Sequence, residues 1–206
     1  MSDTQDSSKG GPPSGAPARL ADGTARRDAS NGDEARRLAA LQRLRDLVPQ
    51  SQPRLDGLCR VASLVTGSDA AGLAFLSDRF LYFVGRYGHL PDRDVRGFAV
   101  EDLRHKLIFL PEVRQLPGHA RMNCFNGKFA AYKSMIAVAV HFEAHPVAML
   151  ACYSQHTRDG HGPEAKSCLH ELAYMAEAHL AQEATLSQLG RTAVSAIERL
   201  RMTDVG

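Results

Sequence analysis

Between Ser134 and Ser154 the sequence SMIAVAVHFEAHPVAMLACYS is apolar at almost every position, so an alternating chain here carries apolar side chains on both faces. Ile136, Val138, Val140 and Phe142 share one face, and Met135, Ala137 and Ala139 share the other. Val147, Met149 and Tyr153 then oppose Ala148, Leu150 and Cys152. A strand apolar on both faces has to be covered on both. Glu143-Ala144-His145 supplies a polar reversal, and Pro146 opens the second strand, where its missing N–H costs least. The pattern predicts a hairpin at the centre of a sheet, with helices on one face and other chain on the opposite one.

A second hairpin is predicted from Ala70 to Leu76 and from Phe80 to Tyr87, turned at Ser77-Asp78-Arg79, with Gly72 and Gly85 marking a bulge or a close backbone approach. Upstream the spacing changes to three and four. Leu38, Leu41, Leu44 and Val48 form a narrow seam on a helix that starts at Asp33 and ends at Pro49. Leu55, Leu58, Ala62 and Val65 form the buried face of a second helix, from Pro53 to the stop at Gly67. Downstream, GHLPDRDVRGF reads as loop, with Asp92 and Asp94 as turn formers. Glu101–Lys106 reads as a short helix, Leu107–Leu110 as a short strand, Glu112–Leu116 as one helical turn, and Pro117–Asn126 as irregular. Pro163 and Glu164 start a long helix on which Leu172, Met175, His179, Leu186, Leu189, Ala193, Ala196 and Leu200 approximate a heptad seam. Such a helix outruns a small sheet. Leu186, Leu189, Ala193 and Leu200, with Leu38 and Leu41 of the first helix, are therefore expected to meet a second copy of the chain.

Composition narrows the classes. Residues 1–32 are dominated by Ser, Gly, Pro, Asp and Arg without apolar periodicity and read as a disordered tail; 33–182 read as one domain and 183–206 as a helical extension. A net charge of +2 demands neither nucleic acid nor an anionic membrane as a partner. With no apolar run long enough to span a bilayer and no signal segment, a cytoplasmic protein is expected. Cys59, Cys124, Cys152 and Cys168 lack paired spacing and read as reduced thiols. The nine histidines give no recognised ligand spacing, so neither a metal nor haem on a lone axial His is expected.

The order helix, hairpin, RYGHLPDR, loop, LIFLPEVRQ, long loop, KSMIAVAV, VAMLACYS, helix resembles a GAF domain over roughly Leu41 to Leu180. The resemblance implies an α+β fold of the GAF/PAS-like kind: a central antiparallel sheet, N- and C-terminal helices on one face, and a loop-roofed ligand cavity on the other. Ala137, Ala139, Ala148 and Ala151 fit close helix-on-sheet packing. Three departures limit what the resemblance implies. GFAVEDLRHKL carries no cysteine where bilin-binding relatives need one, so a covalently attached bilin is not expected. Asn126, Lys128 and Phe129 match the start of the cyclic-nucleotide pattern, but no Asp-Glu pair follows. Only Cys124 lies in the roof, whereas relatives that reduce free methionine sulfoxide use several cysteines.

What chemistry remains gathers beneath that roof. Arg104, His105, Lys106, Asn123, Cys124, Phe125, Lys128 and Tyr132 would bring cations, an imidazole and two aromatic rings over the sheet, suiting a small anion or a planar ligand with an acidic group. Read singly, each is also an ordinary surface or core residue. No Gly-rich phosphate loop, nucleophile elbow or paired carboxylate site is visible. Three readings follow: a non-catalytic sensory module signalling to a second copy or a downstream protein, a small redox enzyme using Cys124 with His105 or Lys128 lowering its pKa, or a degenerate domain that only dimerises.

Overall fold

The computed structural model describes residues 21–45, 48–97, 107–115, 121–126 and 132–203. The chain divides into the units Met1–Glu34 and Ala35–Gly206. Helix α1 runs Ala21–Arg45, helix α2 Val48–Thr66 and helix α3 Pro163–Thr203. The strands are β1 (Ala70–Leu76), β2 (Phe80–Tyr87), β3 (Arg93–Val95), β4 (Ile108–Leu110), β5 (Ser134–Phe142) and β6 (His145–Ser154). They form one antiparallel sheet in the order β3-β2-β1-β6-β5-β4. Both predicted hairpins are present, and β1 lies against β6 at the centre.

Each hairpin has a local cause. Glu143 and Ala144 turn β5 into β6 with φ of 51° and 64°, the two left-handed residues of a two-residue hairpin turn. The register slips between Val140 and His141, where Pro146 sits opposite His141. Ser77 Oγ accepts the amide of Phe80 at 2.9 Å and so closes the first hairpin. Gly67 ends α2 at φ 61°, its amide reaching Leu64 O and that of Ser68 reaching Ser63 O, the paired bonds of a Schellman cap.

Period-2 alternation sorts the strand residues onto two clusters. Leu73, Phe75, Ile136, Val138, Val140, Ala148, Leu150 and Cys152 pack with Ala40, Leu41, Leu44, Leu55, Ala62, Leu169, Ala173, Ala176 and Leu180 of the helices. Gly85 is required on that side: a Cβ there would stand 2.8 Å from the Leu55 backbone, so α2 rests directly on β2. On the other face Ala70, Ala74, Ala137, Ala139, Met149, Ala151 and Tyr153 meet Leu90, Val113, Met122, Cys124, Phe125 and Tyr132.

Several expectations are corrected. Of the four alanines assigned to helix packing, only Ala148 faces the helices; Ala137, Ala139 and Ala151 face the irregular side. Helix α1 begins at Ala21 rather than at Asp33, so residues 21–32 are helical, with Ala21, Ala25 and Ala29 as strong helix formers. Helix α2 begins at Val48 and carries Pro53 inside it rather than at its start. Pro49 falls in its first turn, where a missing N–H removes no helical bond. Residues 93–95, read as loop, form the edge strand β3. Leu41, expected at a partner interface, is buried in the protein's own core, and Leu38 is half-buried against the same cluster. On α3 the sheet is met by Leu169, Leu172, Ala173, Ala176 and Leu180, while Met175 of the expected seam stays exposed. The short helix read at Glu101–Lys106 lies outside the described residues. No helix among the described residues is long and apolar enough to cross a membrane.

Candidate functional site

On the face away from the helices, the sheet is floored with small side chains. Ala70, Ala74, Ala137, Ala139 and Ala151 are all at most 7% exposed, and Gly72 joins them, with the Phe83 ring lying where its Cβ would be. From this floor rises Tyr153, fully buried, flanked by the rings of Tyr132 at 5.5 Å, Phe125 at 6.0 Å and Phe83 at 6.5 Å between centroids.

The cover is tied down by a buried carboxylate. Asp94 on β3 is 1% exposed; its Oδ1 accepts the amides of Val95 and Asn123, both at 2.7 Å, and its Oδ2 accepts the amide of Cys124 at 2.9 Å. Three charge-assisted bonds from backbone N–H groups satisfy a carboxylate that burial alone would penalise. They also hold the turn at residues 122–126, where Phe125 and Asn126 donate to Met122 O. The amide of Tyr132 reaches Cys124 O and its hydroxyl donates to His89 O, both at 3.0 Å. Sequence reading gave Asp94 to a turn; its place in a strand, pointing inward, gives it this other task.

Within this arrangement one group is unsatisfied. The Tyr153 hydroxyl has no hydrogen-bond partner among the described residues although it is completely buried. Its pKa is pushed well above the ordinary phenol value, by burial first and then by the neighbouring Cys124, Asp94, Cys152 and Tyr132, so it is a neutral donor. Such an orphan costs on the order of 1–3 kcal/mol. Cys124 is buried too; burial, then the Asp94 carboxylate, drives its thiol pKa upward. Cys59 and Cys152, on the helical face, are pushed from 9.0 to about 12, chiefly by burial. None of the three is poised as a thiolate.

Of the expected site residues, Asn123, Cys124, Phe125 and Tyr132 are brought together around Asp94 and Tyr153. Arg104, His105, Lys106 and Lys128 lie outside the described residues. Tyr153 was legible as a strand residue, but the lack of a polar partner for it among the described residues was not. Among the described residues no three His, Cys, Asp or Glu side chains converge on a point that would hold a metal ion.

No family model matches the sequence, and no curated protein matches it either. Solved structures do. The type II free methionine-R-sulfoxide reductase from Thermoplasma acidophilum superposes with a TM-score of 0.52 at 15% identity, over 66% of this chain and 96% of that one. The blue-light absorbing form of the PixJ GAF domain from Thermosynechococcus elongatus gives 0.51 at 15% identity, over 73% of this chain and 95% of that one. The architecture is that of an α+β protein with a six-stranded antiparallel sheet backed by helices. More specifically, the fold is GAF-like.

Proposed function

We propose that this protein is a non-catalytic sensory module whose small-molecule ligand sits between the alanine-floored face of the sheet and its irregular cover. The observation that carries the reading is the orphaned Tyr153 hydroxyl: a buried donor with no acceptor among the described residues, standing over small side chains and ringed by Tyr132, Phe125 and Phe83. Aromatic walls and one free donor suit a planar molecule with a hydrogen-bond acceptor. Arg104, His105, Lys106 and Lys128 supply in sequence the positive charge for an acidic group on that molecule.

The route out runs across the sheet. Tyr153 and Cys152 are adjacent on β6 but face opposite clusters, so a shift of the strand under the ligand is felt by the helical layer. Helix α3, which outruns the sheet, then carries the change to a second copy of the chain and to a downstream protein. Unpaired thiols suit a reducing compartment, and the cytosol is the proposed location. A cysteine-dependent redox enzyme needs a thiolate, and burial against Asp94 keeps Cys124 protonated.

Native mass spectrometry of freshly purified protein tests the reading. Wild-type protein and Cys124→Ser are expected to carry the same non-covalent adduct, and Tyr153→Phe to carry little or none. Wild-type protein that stays adduct-free when purified from several hosts and media supports a degenerate domain instead. Turnover of a sulfoxide or disulfide that Cys124→Ser abolishes supports the redox enzyme.

A further inference from the structure

Helix α3 has 41 residues and is therefore about 60 Å long, yet its last fully buried contact with the domain is Leu180. About 35 Å of helix, residues 181–203, runs on beyond it. Most helical stability in proteins comes from packing an apolar face rather than from intrinsic propensity. Along it Leu186 and Leu189 are 54% and 61% exposed, and the same stripe continues backward through Met175, 61% exposed. There it enters a groove of about 350 Å³ between α2 and α3, lined by Leu58, Val61, Leu172, Met175 and His179, with Arg54 and Gly57 beside them. In that groove the Nε2 of His179 is buried without a hydrogen-bond partner among the described residues. Overhang and groove thus share one largely apolar surface, on which Met175, Leu186 and Leu189 stay exposed among the described residues.

We infer that a second copy covers this seam by antiparallel pairing of the two α3 helices, with Leu186 of one against Leu189 of the other; the inference rests on the helix-mediated signalling proposed above and specifies its geometry. The seam positions are Leu172, Met175, His179, Gln182, Leu186, Leu189, Ala193, Ala196 and Leu200. Antiparallel pairing in this register sets Gln182 against Ala193 and His179 against Ala196, so that wide polar side chains meet small ones. Parallel pairing would instead stack His179 on His179 and Gln182 on Gln182 at one end, and alanine on alanine at the other. One end would be crowded and the other left with gaps. The antiparallel register also lays the overhang of each copy, from Ala193 onward, into the groove of the other, where Gly57 allows close approach. Seam, flanking positions and groove together supply about twenty residues per copy, the number a stable interface of standard size uses.

Disulfide trapping after sedimentation analysis tests the arrangement. Cys168 is the exposed native thiol and occupies the same stripe, one heptad before Met175. Antiparallel pairing keeps the two Cys168 residues some 60 Å apart, so mild oxidation of the wild-type dimer yields no disulfide-linked species. In a Cys168→Ser background, Gln182→Cys mixed with Ala193→Cys is expected to form the mixed disulfide dimer, while neither variant links to itself. Self-linked Ala193→Cys, or wild-type protein linked through Cys168, overturns the antiparallel seam and leaves the signalling dimer standing. Sedimentation as a monomer at every concentration overturns the seam and the helix-mediated output together.

Discussion

On the helical face of the sheet, Leu73, Ile136, Val138 and Leu150 interlock with Leu55, Leu169 and Leu180, and every buried thiol there is shielded by regular structure. The opposite face is floored with Ala70, Ala74, Ala137, Ala139 and Ala151, and its described cover includes turns that hang on Asp94. One face gains its stability from large side chains in close contact; the other depends on a few polar struts and contains a hydroxyl with no hydrogen-bond partner among the described residues. The contrast teaches where change is cheap. A packed helical layer resists displacement, whereas a cover held by three amides on one carboxylate opens at lower cost and closes more tightly when something satisfies Tyr153.

The largest expected effect lies on the helical side. Leu150→Ala leaves a cavity beneath α2 and α3 and is expected to cost about 2–5 kcal/mol, read from the urea midpoint at unchanged slope. A loss below 1 kcal/mol would mean that this face is not the rigid one. Next comes Asp94→Ala, which strips the acceptor from the amides of Val95, Asn123 and Cys124 at about 1–3 kcal/mol for each group left unsatisfied. Its signature is local: amide exchange accelerates at residues 121–126 and leaves α2 and α3 as they were. Uniform acceleration through the helices would erase the distinction between the faces.

Alkaline pH probes the helical face by another route. Cys59 and Cys152 have folded pKa values raised from 9.0 to about 12, so the folded state holds its protons where the unfolded state gives them up. Their stability contribution is present below pH 9 and is lost as pH rises towards 12, the loss reaching about 1.4 kcal/mol per thiol by pH 10. Cys152→Ala is expected to blunt the fall in melting temperature between pH 9 and 10, and an unchanged slope would contradict it. Smallest for the folded monomer is Leu186→Lys, within about 0.5 kcal/mol because the position is exposed. The same substitution abolishes the dimer in sedimentation, and a dimer that survives it uses another surface.

How much of this was visible in sequence depended on the kind of signal. Both hairpins and the start of α3 were legible because alternation and a Pro-Glu helix start act locally. Strand β3 was not: three residues between Pro91 and Gly97 give alternation too little length to register. Alternation also separates two faces without saying which one receives the helices, and so Ala137, Ala139 and Ala151 were placed on the wrong side. For the site, Asn123, Cys124, Phe125 and Tyr132 followed from the irregular stretch ahead of β5. The roles of Asp94 and Tyr153 depend on contacts such as Asp94 with Asn123, 29 positions apart, and Tyr153 with Phe83, 70 positions apart, which no local pattern encodes.

The central claim is that Tyr153 waits for an acceptor, and the melting temperature of Tyr153→Phe against wild type, before and after ligand is stripped by unfolding and refolding, tests it most directly. In stripped protein the variant is expected to be the more stable by about 1–3 kcal/mol, because an unsatisfied buried hydroxyl is gone. In freshly purified protein the order is expected to reverse, because wild type alone is held by its ligand. A variant less stable than wild type by the same amount in both preparations would mean that the hydroxyl is already satisfied within the protein, and the ligand site would lose its foundation.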